Sequence, residues 1–221
     1  MEVTKFRPIS LMNVPGKVLE KLLINRIMHH VHQNELMNRK QYGFTPQKST
    51  IDAIMEVKEY LEGLRQGQVA ILLSLDVKAA FDSASWASIL PALQNLNCPK
   101  NLYILARSYF SDRTAVLSTN SIHIAQEVSK GCSQGSSCGP AFWNIQFNAL
   151  LNLSYEKQTK QTAFADDLII AVRAGSVREA ENIINIEVGK ITTWARNNKI
   201  NFNETKSKVM LITRRGRKLR N

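Results

Sequence analysis

The sequence TAFADDLIIAV, at residues 162–172, places two adjacent aspartates between two apolar segments. The segment 168–172 is rich in β-branched residues and predicts a strand, and the apolar residues before the aspartates are expected to end another strand. Asp166 and Asp167 are therefore predicted at the tip of a β-hairpin. Their like charges repel each other, and a hard divalent cation with oxygen ligands would relieve that repulsion. Alone, the pair is more often a solvated turn, because aspartate is common in turns.

A second carboxylate follows an apolar run upstream. The run VAILLSL at residues 69–75 leads directly to Asp76 and predicts a strand that is buried on both faces. A carboxylate at the end of such a strand is costly unless it is paired or bound to metal. If this strand lies beside the hairpin, Asp76 converges with Asp166 and Asp167. Two-metal phosphoryl transfer needs such a cluster, in which carboxylates hold two cations about 3.5–4 Å apart.

Apolar periodicity predicts the remaining elements. Helices are expected from residue 16, over 51–64 and over 177–197, and further strands over 114–118, 122–128 and 209–213. Strands and helices in this order predict an α+β fold, in which helices back an antiparallel sheet.

Two of these helices have a predicted core face. In the first, the apolar residues expected to face the core are Val18, Leu19, Leu22, Leu23, Ile27 and Val31. In the second, they are Ile54, Val57 and Leu61. Ser49 or Thr50 is expected to cap the second helix, and Gly67 is expected to close it.

A loop of small residues, GCSQGSSCGP at 131–140, precedes a strongly apolar helix. Glycines let a substrate backbone approach closely, and N–H groups at a helix start suit phosphates. The loop lacks the GK[ST] ending of a P-loop. Standing alone, it is best interpreted as a plain entry to the helix.

The chain is strongly basic. It has 29 Lys and Arg against 18 Asp and Glu, which gives a net charge of +11 and a pI near 9.7. Solubility does not need a charge of this size, which instead indicates a polyanionic partner, with nucleic acid as the leading candidate. The loop RKQYGFTPQKST at 39–50 interleaves basic and aromatic residues, which suits contacts with phosphates and bases.

Neither a membrane span nor a disulfide framework is expected. No apolar run has the length of a transmembrane helix, and the first residues lack the apolar core of a signal peptide. Cys98, Cys132 and Cys138 form no CxxC pair. This pattern argues against a zinc site and favours a reducing, intracellular setting.

Six groups of short segments occur in a characteristic order. They are RPISL at 7–11; QYGF at 41–44 with Ser49 and Thr50; LD at 75–76 with FD at 81–82; QGS at 134–136 with GP at 139–140; FADD at 164–167; and NETK at 203–206. In this order and spacing the chain resembles the reverse transcriptase domain of non-LTR (LINE-type) retrotransposons. The resemblance covers nearly the whole chain.

This resemblance implies a right-hand polymerase with fingers and palm but without its thumb. The fingers are expected at 1–67 and 97–134, the palm at 68–96 and 135–213, and a basic tail at 214–221. The implied activity is that of an RNA-directed DNA polymerase, which adds dNTPs to a DNA primer on an RNA template. The resemblance also implies two Mg²⁺ ions as cofactors, with Mn²⁺ as a possible substitute. It further implies that the protein acts in the nucleus.

The resemblance also implies roles for particular residues. Asp76 and Asp166 would bind both metal ions, supported by Asp167, and Lys206 would act as general acid toward pyrophosphate. Residues expected to bind the incoming nucleotide are Arg7, Val77, Phe81, Gln134 and Gly135, with Phe81 as the steric gate against a ribose 2′-OH. Residues expected to contact template or primer are Gln41, Tyr42, Phe44 and Ser136.

Other interpretations remain open for some of these residues and for the chain. By position alone, Phe81 is a core aromatic, and Lys206 is equally a solvated lysine near a helix end. Ser133 stands where the family usually has proline. The primer grip and thumb are expected to come from the rest of a longer polyprotein. The alternative function is a catalytically silent remnant that binds nucleic acid. A group II intron-type maturase shares the palm but normally has tyrosine where Phe164 stands.

Overall fold

The structure is a computed structural model and describes residues 9–214. Its helices are α1 (Val14–Gln33), α2 (Thr50–Glu62), α3 (Ala80–Ser83), α4 (Trp86–Asn95), α5 (Lys100–Phe110), α6 (Gly139–Leu151) and α7 (Val177–Asn197). Its strands are β1 (Val69–Leu75), β2 (Thr114–Ser118), β3 (His123–Glu127), β4 (Thr159–Phe164), β5 (Asp167–Ala174) and β6 (Lys208–Thr213). Within this described part, no helix is both long and apolar enough to cross a bilayer.

The described residues form two compact units. One comprises the described residues up to Met37 together with Ala79–Gln146, and the other comprises Asn38–Lys78 and the described residues from Phe147 onward. These boundaries differ from those predicted for fingers and palm, and that assignment stays a prediction.

A four-stranded antiparallel sheet organises the second unit. Its order is β4-β5-β1-β6, so the apolar strand β1 pairs on both sides, as a strand predicted to be buried should. Helix α7 packs on β1 and β5, and α2 packs on β4 and β5. Leu168, Ile170 and Val172 of β5 are fully buried. The predicted antiparallel sheet backed by helices is confirmed.

Helix α2 begins as predicted, but it buries a different set of side chains from the predicted one. Ser49 caps it: the Ser49 hydroxyl accepts a hydrogen bond from Asp52 N, and the Asp52 carboxylate accepts one from Ser49 N. This arrangement is a capping box. Val57 is buried, but Ile54 is 64% exposed, so its predicted core position is wrong.

The end of α2 is also corrected. The helix ends at Glu62 with Gly63 as its cap, not at Gly67. Gly67 instead has a φ of +83° between α2 and β1, a conformation that glycine adopts without strain.

The first unit places α1 against α5. The buried residues of α1 are Glu20, Leu23, Ile24, Ile27 and Val31. Three of its predicted core residues, Val18, Leu19 and Leu22, are instead 53–55% exposed. Because each residue advances about 100° around a helix, these three lie on the side opposite the packed stripe. Helix α1 has apolar residues on all of its sides, and only the stripe that faces α5 and the rest of the unit is buried.

Strands β2 and β3 form a separate two-stranded hairpin in the first unit. All ten of their residues are exposed. The hairpin therefore contributes nothing to the core of the unit.

Candidate active site

The predicted hairpin tip is confirmed. Phe164 of β4 pairs with Asp167 of β5, so Ala165 and Asp166 form a two-residue turn. Ala165 has a φ of +58°, whereas Asp166 does not have a positive φ. This is the sign pattern of a type II′ turn, in which glycine usually holds the first position. For a residue with a Cβ, the left-handed conformation costs about 1–2 kcal/mol, so other contacts must hold Ala165 there.

The sheet brings Asp76 to this turn. Leu75, the last residue of β1, pairs with Leu168 of β5, and each is adjacent in the chain to one of the aspartates. Burial raises the pKa of Asp167, the negative charges of Asp166 and Asp76 raise it further, and Lys206 opposes the rise. The three carboxylates predicted to converge therefore lie close enough to act on one another electrostatically.

Lys206 is held near the same group of carboxylates. Its Nζ lies 3.5 Å from Asp76 Oδ2, and its side chain is 64% exposed. Asn203 N donates to Asp76 O over 2.7 Å, and Lys206 N donates to Asn203 O over 3.2 Å. These backbone hydrogen bonds hold the NETK segment (203–206) against the end of β1. They therefore keep Lys206 close to Asp76.

The donor chemistry of this cluster suits a hard cation. Carboxylate oxygens are the ligands that Mg²⁺ prefers, and the pKa of Asp167 is raised by its burial and by negative charge that Lys206 only partly balances. Within residues 9–214, no three Asp, Glu, His or Cys side chains form a ready-made metal site. The residues present therefore fit divalent cations by their chemistry rather than by a preformed cage.

Val77 follows Asp76 and is buried, with 3% of its surface exposed. It forms an antiparallel bridge with Phe202, and Lys78 N donates to Asn201 O over 2.8 Å. Because the Val77 side chain is enclosed, only its backbone is left to contact a nucleotide.

In the first unit, the glycine loop is fixed by backbone bonds. Gln134 forms a parallel bridge with Ile9, and Ser10 N donates to Gln134 O over 3.0 Å. Gly135 has a φ of +98°, and a Cβ there would lie 3.2 Å from Ser10 O. Glycine is therefore required by conformation at this position and also limits crowding against Ser10.

Phe81 joins the same loop through its backbone. Cys132 N donates to Phe81 O over 2.7 Å. The centroids of the Phe81 and Trp143 rings are 6.3 Å apart. Its side chain is half-buried. The structure brings Phe81 and the glycine loop together, and their predicted nucleotide contacts stay predictions. Arg7 and the tail beyond Arg214 lie outside the described residues.

Glu20, which sequence reasoning missed, anchors the glycine loop. Its side chain is 1% exposed. Oε1 accepts hydrogen bonds from Tyr109 Oη (2.5 Å) and Ser136 Oγ (2.8 Å), and Oε2 accepts one from Ser137 N (2.7 Å). The Ser136 hydroxyl also accepts from the backbone at residues 138 and 139. These bonds give Ser136 a structural role, and the template or primer contact predicted for it stays a prediction.

In the second unit, the QYGF segment lies along β4. Gln41 is 2% exposed and Tyr42 is 9% exposed, whereas Phe44 is 52% exposed. The Tyr42 hydroxyl donates to Glu56 Oε2 over 2.9 Å. Of these three residues, Phe44 alone exposes a large part of its side chain, and the template or primer contacts predicted for all three stay predictions.

Glu56 links this segment to β4. It forms ion pairs with Lys40 and Lys160. Burial disfavours the charged carboxylate, but hydrogen bonds from Lys160, Lys40 and Tyr42 outweigh that effect and lower the pKa of Glu56 to about 2. Burial and the bond to Glu56 raise the pKa of Tyr42 to about 12.

Comparison with known proteins identifies the family. Residues 2–219 match the family described as reverse transcriptase (RNA-dependent DNA polymerase). The chain belongs to the reverse transcriptase family. As a reverse transcriptase sequence it has relatives in retrotransposable elements, and the predicted resemblance to the reverse transcriptase domain of non-LTR retrotransposons is confirmed.

Three relatives illustrate the match. The chain is 31% identical over 211 residues to the putative 115 kDa protein in type-1 retrotransposable element R1DM of Drosophila melanogaster, covering 96% of this chain and 20% of that protein. It is 33% identical over 178 residues to the retrovirus-related Pol polyprotein from type-1 retrotransposable element R1 of Bradysia coprophila, covering 80% and 17%. It is 24% identical over 212 residues to the RNA-directed DNA polymerase from mobile element jockey of Drosophila melanogaster, covering 93% and 23%. This reverse transcriptase chain thus spans about a fifth of these relatives' length.

Solved structures share its fold. Telomerase from Candida albicans, in complex with a TWJ fragment of telomeric RNA, superposes with a TM-score of 0.64 at 14% identity, covering 87% of this chain and 34% of telomerase. Apo telomerase from Candida tropicalis, truncated from its C-terminal domain, gives 0.64 at 12% identity, covering 88% and 40%. The predicted polymerase fold of this reverse transcriptase is confirmed.

Proposed function

We propose that this chain is an RNA-directed DNA polymerase that adds dNTPs to the 3′-OH of a DNA primer on an RNA template. The observation that carries the proposal is the pairing of β1 with β5, which brings Asp76 to the Asp166–Asp167 turn. Asp76 and Asp166, with Asp167, would hold two divalent ions, Mg²⁺ or Mn²⁺. When bound, such ions activate the primer hydroxyl and stabilise the leaving pyrophosphate.

The chain's own residues have distinct tasks in this proposal. The carboxylates of Asp76 and Asp166 concentrate negative charge where the cations are needed. Lys206 would donate a proton to the leaving pyrophosphate, and its position 3.5 Å from Asp76 Oδ2 supports this role. Phe81, Gln134 and Gly135 would make the nucleotide contacts that the family resemblance implies.

The partners follow from charge and kinship. A net charge of +11 suits an RNA template and a DNA primer, both of which are polyanions. The jockey relative is named an RNA-directed DNA polymerase, which supports the same activity here. Nuclear action is part of the proposal, and fractionation of cells that express the tagged chain tests it.

Single carboxamide substitutions test the proposed chemistry. We expect Asp76→Asn and Asp166→Asn to abolish primer extension on an RNA template while RNA binding, measured by fluorescence anisotropy, is retained. The matched control is Asp112→Asn, which removes an exposed carboxylate in the other unit and should leave extension unchanged.

Two outcomes contradict the proposal. If Asp166→Asn extends the primer as well as the wild type does, catalysis does not depend on this cluster. If no protein extends the primer but all bind RNA, the chain is a catalytically silent nucleic-acid binder.

Chelation of divalent ions should abolish extension, and Mn²⁺ should restore it when Mg²⁺ is withheld.

A further inference from the structure

The side chain of Gln41 pairs with the backbone of the turn that carries Asp166. Its Nε2 donates to Ala165 O over 3.2 Å, and its Oε1 accepts from Ala165 N over 3.0 Å. One amide thus matches both backbone polar groups of Ala165, the residue directly before Asp166. The two residues are 124 positions apart in the chain, so the pairing is a tertiary contact.

Backbone bonds fix the segment from which Gln41 reaches the turn. Tyr42 N donates to Ala163 O over 2.8 Å, and Ala163 N donates to Lys40 O over 2.9 Å. These bonds form a parallel bridge along β4, the edge strand of the sheet. Gln41 Oε1 also accepts from Gly43 N over 2.9 Å, so the amide is fixed on its own side as well.

Gly43 permits the close approach. A Cβ at this position would lie 2.1 Å from Ala165 N and 2.7 Å from Ala165 Cα, which no side chain could tolerate. The backbone of the segment therefore lies directly on the turn. The segment therefore contacts Ala165 through the Gly43 backbone as well as through the Gln41 amide.

The turn needs such control because of its conformation. Ala165 has a φ of +58°, a region that residues with a Cβ rarely adopt without added support. A rotation at Ala165 would redirect Asp166, since Asp166 is the next residue. Amide bonds to both backbone groups of Ala165 oppose that rotation.

We propose that Gln41 is a positioning residue that holds Ala165 in its left-handed conformation and so sets the direction of Asp166 beside Asp167 and Asp76. This inference rests on the proposed function. It is an alternative to the template or primer contact predicted for Gln41 from the sequence, and it agrees with a side chain that is only 2% exposed.

Steady-state kinetics separate positioning from template binding. Gln41→Leu removes the amide and substitutes an apolar side chain of similar size. We expect its kcat per folded molecule to fall about ten- to a hundredfold, because small misplacements of catalytic groups have effects of this order. KM for the RNA template–DNA primer should stay unchanged. A template contact would instead raise that KM and leave kcat intact.

A compensating variant tests the conformational part of the inference. Glycine adopts a positive φ without strain, so Ala165→Gly should restore part of the kcat lost in Gln41→Leu. The matched control is Thr162→Val, on strand β4, which leads into the turn. Thr162 is 2% exposed, and its hydroxyl has no hydrogen-bond partner among the described residues. This control should match the wild type in kcat and KM.

Mn²⁺ binding supplies a readout that does not depend on activity. Electron paramagnetic resonance measures free Mn²⁺ as the folded 221-residue chain is added without nucleic acid or nucleotide. We expect Gln41→Leu to weaken Mn²⁺ affinity about tenfold, as is typical when a residue that orients metal ligands is lost. Thr162→Val should bind Mn²⁺ as the wild type does.

The two readouts distinguish the two claims. An active wild type together with a Gln41→Leu variant of unchanged kcat and Mn²⁺ affinity overturns the positioning role, even if that variant is less stable. An inactive wild type overturns the proposed function, and the Mn²⁺ comparison then decides the positioning role alone. A wild type that extends no primer and binds no Mn²⁺ overturns both.

Discussion

Replacing Glu20 by alanine should release the glycine loop from α1 and destabilise the protein. The change removes the acceptor of three hydrogen bonds, from Tyr109 Oη, Ser136 Oγ and Ser137 N, at a site that is 1% exposed. The two hydroxyls can rotate toward other acceptors, but the Ser137 N–H is fixed in the backbone. Ser137 is an exposed residue and its bond to Glu20 is part-buried, so leaving this N–H without its partner costs toward the lower end of the about 1–3 kcal/mol of a fully buried donor.

The net effect is smaller than the sum of three charge-assisted bonds. Removing the carboxylate also removes the cost of burying its charge, which offsets part of the loss. We therefore expect the free energy of unfolding to fall by about 2 kcal/mol. For a chain of this size, Tm changes by about 2–4 °C per kcal/mol, so Tm should fall by about 4–8 °C.

Thermal unfolding followed by circular dichroism measures this change. Glu127→Ala is the matched control, because Glu127 is an exposed glutamate in the same unit, and exposed substitutions usually change stability by less than about 0.5 kcal/mol. Glu20→Gln should lie between the two, since it keeps one oxygen acceptor but sets an NH₂ group against Ser137 N or the hydroxyls. If Glu20→Ala is no less stable than Glu127→Ala, Glu20 does not anchor the loop.

Two further predictions concern pH and nucleotide choice. The pKa of Glu56 is lowered from 4.5 to about 2 in the folded chain, so its ion pairs stabilise the fold above about pH 4.5, and this stability is lost as pH falls toward 2. The full shift would correspond to about 3 kcal/mol at neutral pH, and solvent screening of this partly exposed group reduces the contribution below that value. The Tm of Glu56→Gln should therefore change less between pH 6 and pH 3 than that of the wild type, an expectation that equal slopes would refute. Phe81→Val should raise the incorporation of rNTPs relative to dNTPs in primer extension, if Phe81 is the steric gate; an unchanged ratio would leave it a core aromatic packed 6.3 Å from Trp143.

The carboxylate cluster was predictable from local patterns. An apolar strand that ends at Asp76 and an apolar pair of strands around Asp166–Asp167 are each visible within about ten residues of sequence. Their convergence required only that β1 lie beside β5, and the structure has this pairing. Local patterning therefore predicted the sheet and its carboxylates together.

The supporting residues were not predictable in the same way. Gln41 and Ala165 are 124 residues apart, and Glu20 and Ser136 are 116 apart, so no local period links them. A polar loop that interleaves basic and aromatic residues favours nucleic-acid contact, whereas the structure uses Gln41 and Tyr42 internally. Glu20 did leave one signal, a single acidic residue on the apolar stripe of α1.

The orientation of α1 shows a related limit. Apolar residues occur all around this helix, so periodicity alone could not separate Val18, Leu19 and Leu22 from the stripe that packs. Which stripe is buried depends on the position of α5, a tertiary relationship that the helix's own sequence does not encode.

Addition of a single nucleotide tests the central claim most directly. The 221-residue chain is given a labelled DNA primer on an RNA template, Mg²⁺ and only the complementary dNTP, beside the double variant Asp166→Asn/Asp167→Asn. The account predicts a primer longer by one nucleotide with the wild type and no product with the double variant. Equal product from both proteins, or none from the wild type while it binds the primer–template, would contradict the assignment of RNA-templated DNA synthesis to this cluster.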